Sequence, residues 1–66
     1  MNRGFGELIN ILKQKTIIDN ALEKKLYNVV YFDSYYFDMF KKMEYEKLAN
    51  DLLSLIQCWN DIDTQD

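Results

Sequence analysis

The chain is 66 residues long, 48% hydrophobic, and carries a formal net charge of −3. That length admits one domain at most, and so short a domain buries only about 60% of the surface its unfolded chain exposes. A single cysteine, Cys58, and no histidine exclude an internal disulfide and leave a structural zinc site, which takes about four Cys or His ligands, without donors; no metal and no cofactor is expected.

Both glycines lie in the first six residues and there is no proline, so strong breakers are absent from residue 7 onward. The first predicted helix runs from Phe5 to about Lys15. Phe5, Leu8, Ile9 and Leu12 recur at the spacing of one helical face. Glu7 near its start and Lys13 and Lys15 near its end suit the helix dipole.

Thr16-Ile17-Ile18-Asp19 reads as a capping box with Thr16 as N-cap. The second helix then runs to Tyr31 or Phe32. Its apolar stripe is Ile18, Leu22, Leu26 and Val29, with Glu23, Lys24 and Lys25 facing water.

The middle of the chain has two readings. Asp33-Ser34 has the chemistry of an N-cap that starts a third helix through Lys42. Tyr27–Phe32 and Tyr35–Phe40 are also rich in β-formers, which allows a hairpin over 27–40. Against the hairpin, Asp33-Ser34 lacks the glycine or asparagine that a two-residue turn prefers.

The last predicted helix spans Tyr45 to Asp61. Tyr45, Leu48, Leu52, Leu55, Ile56, Trp59 and Ile62 share one face, with Glu46, Lys47, Asn50 and Asp51 largely opposite. Cys58 beside Trp59 reads as a buried or half-buried small hydrophobe. Every charge after Lys47 is acidic, an unfavourable sign for the C-terminal end of a helix. Residues 63–66 are expected to fray. The expected fold is all-α, a small bundle of three or four short helices; the alternative is α+β, with the hairpin packed on helices.

Tyr27, Tyr31, Phe32, Tyr35, Tyr36, Phe37 and Phe40 crowd into fourteen residues. On one helical wheel they point nearly all round, and an element apolar all round needs cover on several sides. Few other elements exist to cover them, and exposed aromatic patches mark interfaces. Three destinations compete for these rings: the chain's own core, a homodimer interface, and a foreign protein.

Catalytic chemistry has no footing in the sequence. Cys58 has no histidine to activate it. The carboxylates of Glu44 and Glu46, and of Asp61 and Asp63, stand two apart, and residues two apart on a helix do not face each other. Asp61-Ile62-Asp63 has the opening spacing of a calcium loop but lacks its glycine and reads as a solvated acidic tail. Eleven acidic against eight basic side chains disfavour direct nucleic-acid binding, because duplex affinity comes from Lys and Arg on phosphates. Lys13, Lys15, Lys24 and Lys25 do flank one inter-helix turn. No apolar run approaches the roughly 18 residues of a membrane span, and the opening residues do not read as a signal peptide; a cytoplasmic protein is expected. The richness in Asn, Ile, Lys, Tyr and Phe fits AT-rich codons, as in a low-GC bacterium, its phage or a plasmid.

The leading expectation is a small non-catalytic module that binds another protein, as an inhibitor or modulator of a larger one. Tyr31, Tyr35, Tyr36 and Phe40 are the expected contacts, with Asp61 and Asp63 steering a basic target. The alternatives are a structural or regulatory homo-oligomer and a DNA-mimicking inhibitor whose carboxylates stand in for phosphates.

Overall fold

The computed structural model describes residues 4–63. It is all-α: four helices, α1 (Phe5–Lys13), α2 (Asn20–Phe32), α3 (Ser34–Lys41) and α4 (Tyr45–Asp63), with no strand among the described residues. Of the fraying expected at 63–66, residue 63 is instead the last residue of α4, and residues 64–66 lie outside the described ones, as does the side chain of Asp63.

α1 has no side-chain cap; the Gly4 carbonyl accepts from the N–H groups of Glu7 and Leu8 at 3.0 and 3.2 Å. It ends earlier than Lys15, although the N–H groups of Lys15 and Thr16 still bond to the Leu12 carbonyl, both at 2.9 Å. Thr16 therefore finishes the first helix and does not begin the second. Asp19 is the N-cap of α2, its Oδ1 accepting from the Leu22 N–H at 2.8 Å. The predicted capping box is displaced by three residues: Asp19, expected as the third position inside the helix, is the cap itself. Ile17, left in the linker, is 91% exposed.

The hairpin is overturned. Asp33 alone separates α2 from α3. Its N–H closes α2 on the Val29 carbonyl at 3.0 Å, while its Oδ1 accepts from the N–H groups of Tyr35 at 2.9 Å and Tyr36 at 3.5 Å. One extended residue (φ −101°, ψ 122°) re-aims the chain without strand pairing. The β-formers on either side express only a weak, context-dependent preference, and a strong cap with burial on the helical faces outweighs it.

α3 ends in a Schellman motif. The Met43 N–H bonds to the Phe40 carbonyl and the Glu44 N–H to that of Met39, each at 3.1 Å. Met43 takes the left-handed position at φ 61°, one that glycine usually fills. The Glu44 carbonyl then receives the Leu48 N–H at 2.9 Å, opening α4, which runs two residues beyond its expected end.

The core is assembled on α4. Tyr45, Leu48, Ala49, Leu52 and Ile56 are buried against Leu8, Ile9 and Leu12 of α1, Leu26 and Val30 of α2, and Met39 of α3. α4 touches α1 and α3 directly, and α2 leans mainly on α3. The predicted stripe of α2 is rotated slightly: Val30 is buried, while Ile18, Leu22 and Val29 are half-buried at the margin. The charged side of α2 is not simply wet either. Glu23 lies 4.0 Å from Lys13 and Lys25 covers the Trp59 ring at 4.4 Å from its centroid; Lys24 alone of the three stays clear. The stripe of α4 outruns the bundle, so Ile62 is 65% exposed.

Candidate protein-binding surfaces

The rings of the aromatic segment go largely to two faces, and α3 contributes to both. On one side a ladder of rings runs across three helices. Phe5 meets Tyr27 edge-on at 5.2 Å, Tyr27 lies 4.5 Å from Tyr31, and Tyr31 lies 6.0 Å from Phe37 and 5.2 Å from Phe40. Phe40 continues to Tyr45 in the core at 5.8 Å. Tyr36, Phe37 and Phe40 are half-buried, and Tyr27, Tyr31, Phe32 and Tyr35 are exposed. None of the seven is fully buried. The inner rings of the ladder cover the core, and the outer ones stay in water.

The other side is the α3–α4 face. Tyr35 leans over α4 and donates its hydroxyl to Asp51 Oδ2 at 2.9 Å, with 59% of the residue exposed. Its ring meets Tyr36 edge-on at 5.2 Å. The Asp51 hydrogen bond, reinforced by the charge of the same carboxylate, holds the Tyr35 phenol above its ordinary pKa of 10.0. Burial is the first cause that raises Tyr36, followed by the charges of Asp33 and Asp51. Two phenols are thus kept as hydrogen-bond donors among carboxylates. Nearby, Asp38 accepts from Lys42 at 3.0 Å, and that bond raises the Lys42 pKa.

The four aromatic residues expected to make one contact set therefore belong to two places. Tyr35 and Tyr36 stand together on the α3–α4 face; Tyr31 and Phe40 stand together in the ladder. Asp61 is exposed five residues beyond Ile56, the last buried residue of α4, on the same helix as Asp51, and is not part of the Tyr35–Tyr36 cluster. Asp51 went unnoticed in the sequence as a site residue. Its signal was its polar place opposite the α4 stripe, but only the packing of α3 reveals its partner.

Cys58 is exposed, against the expectation of burial. It lies one position before Trp59, and in a helix that single step turns a side chain by about 100°, here onto the Asp51 side. Charge is divided in the same sense. Residues 1–32 hold five basic and three acidic side chains, and residues 33–66 hold three basic and eight acidic.

Two open grooves also lie on the surface of the described residues. One, of about 600 Å³, is lined by Phe5, Asn20, Glu23, Lys24, Tyr27 and Asn28. The second, of about 410 Å³, runs past Ile11 and Met43 and is rimmed by Glu7, Glu44 and Glu46. Among the described residues no group of three or more Cys, Asp or Glu is placed to hold a metal ion, and no helix is long and apolar enough to cross a membrane. No protein-family model, curated protein or solved structure matches the chain.

Proposed function

We propose that this chain is a non-catalytic protein-binding module, working in the cytoplasm, that docks its α3–α4 face on a basic surface of a larger protein and thereby inhibits or modulates it. The observation that carries the reading is the Tyr35–Asp51 pair. A large ring is held over α4 by a 2.9 Å hydrogen bond yet left mostly in water. An aromatic group with so little freedom left to lose suits an interface anchor, and Tyr is enriched at such centres. Asp33 and Asp51 beside it supply negative potential, which speeds encounter with a basic partner and selects against an acidic one. A small chain can occlude a site with one anchored patch more easily than it can build a site. The richness in Asn, Ile, Lys, Tyr and Phe fits AT-rich codons and supports an origin in a low-GC bacterium, its phage or a plasmid.

The test is capture of partners from such a host with the wild-type chain, Tyr35→Ala and Asp51→Lys. A partner held by the wild type should be lost from both variants while their helical circular dichroism persists. Retention of that partner by both variants would sink the reading. The acidic bias of residues 33–66 also favours the DNA-mimic version. In that case the partner is a nucleic-acid-binding protein, and nucleic acid competes for it at low salt.

A further inference from the structure

Resting on that reading, and naming what the partner must present, we infer that the Tyr35 ring, with the Asp51 carboxylate at its rim, is a seat for an arginine side chain of the target protein. The ring lies mostly in water but is fixed at both ends. Its hydroxyl donates to Asp51 Oδ2 at 2.9 Å, and the Tyr35 N–H donates to Asp33 Oδ1 at 2.9 Å. Tyr36 packs edge-on against it at 5.2 Å. The charges of Asp33 and Asp51 both act on Tyr36 as well, so the two carboxylates surround one pair of rings.

Charge and ring chemistry choose the occupant. An aromatic face attracts a cation, more so beside a carboxylate. Two other rings of the molecule already carry a lysine of this chain: Lys25 stands 4.4 Å from the Trp59 centroid and Lys41 stands 5.1 Å from that of Phe37. Lys42 is held by Asp38 at 3.0 Å. Among the described residues no cation lies over Tyr35, and none pairs with Asp33 or Asp51. The same carboxylates repel a phosphate or an acidic segment.

Geometry selects arginine over lysine. A guanidinium laid on the ring keeps its N–H donors in its own plane, pointing outward past the rim. Asp51 stands at that rim, and its Oδ1 accepts no bond among the described residues. One flat cation can therefore stack and donate at once. An ammonium is a compact, strongly hydrated point charge and gains less from a face and a rim together. The ring and its carboxylate are held in place beforehand, so the contact orders little on this side.

The test is an NMR titration of the full chain at low salt with hexa-arginine and, separately, hexa-lysine, two peptides of equal charge. Hexa-arginine should bind about threefold tighter or more, with the largest shifts at the Tyr35, Tyr36 and Asp51 amides. Tyr35→Leu should abolish that preference while helical circular dichroism persists. Asp51→Asn should weaken hexa-arginine by about threefold, and Glu44→Gln, which removes the same charge at the α3–α4 joint, should have a smaller effect. Equal affinity for the two peptides, shifts centred elsewhere, or a preference that survives Tyr35→Leu overturns the assignment. The chain's own single arginine is Arg3; self-association lost in Arg3→Ala would give the seat to a second copy and overturn it too. A partner lost from Tyr35→Ala and Asp51→Lys, with no arginine preference in the peptides, removes this inference and leaves the α3–α4 reading standing. A partner kept by both variants removes the reading itself.

Discussion

Tyr35 ties exposure, ionisation and stability together at one side chain. Its phenol donates to Asp51 only while protonated, so ionisation both breaks the 2.9 Å bond and sets two negative charges side by side. The folded-state pKa lies above the ordinary 10.0. The proton is thus held more tightly in the folded chain than in the unfolded one. The resulting stability is complete below pH 10.0 and is lost as pH rises through the raised value. Tyr36, raised first by burial, and Lys42, raised by its bond to Asp38, have the same sign. All three therefore place the fall in stability on the alkaline side. Tyr35→Phe should flatten that alkaline fall in melting temperature. It should also remove a late phase from the tyrosinate absorbance titration. A titration curve unchanged by the substitution would show that the Asp51 bond does not persist in solution.

At the scale of elements, the helices were legible and their joints only partly so. The last helix announced itself because seven apolar positions keep one phase over five turns, and Tyr45 is its first residue as expected. Asp33 was legible as a cap because Asp accepts from backbone N–H groups just downstream. The α1–α2 joint misled because Thr16 and Asp19 are both good caps three residues apart. What separates them is that the Thr16 N–H is already used by the Leu12 carbonyl, a fact of backbone geometry. The α3–α4 joint gave no sign at all, since its left-handed residue is a methionine. That conformation costs a side-chain-bearing residue roughly 1 kcal/mol relative to glycine, and Met43 is more than half exposed, so little packing offsets it. Met43→Gly should stabilise the fold by about 0.5–1 kcal/mol in urea denaturation. Destabilisation would mean that the Met43 side chain, beside Ile11 in the second groove, contributes more than its exposure suggests.

Across the whole molecule, the faces were less legible than the helices. Periodicity reports which side of a helix is apolar, not whether another helix reaches far enough to cover it. Seven aromatic residues looked like one site, yet four of them join the ladder, Tyr35 and Tyr36 stand on the α3–α4 face, and Phe32 belongs to neither. The α4 stripe looked continuous, yet cover runs out after Ile56 and Trp59. Burial along this stripe should therefore show directly in energetics. Leu48 is fully buried in the core, and Leu48→Ala should cost about 2–5 kcal/mol through lost transfer energy and a residual cavity. A core of this size supplies only about 3–5 kcal/mol in total, so that variant should be largely unfolded at physiological temperature. Ile62→Ala, on the same stripe but two-thirds exposed, should stay within about 0.5 kcal/mol of the wild type. Urea denaturation of the isolated, dilute chain checks the pair. A large loss at Ile62 would mean that something covers the end of α4 in solution, and that the apolar stripe, not the limit of the bundle, decides where the core stops.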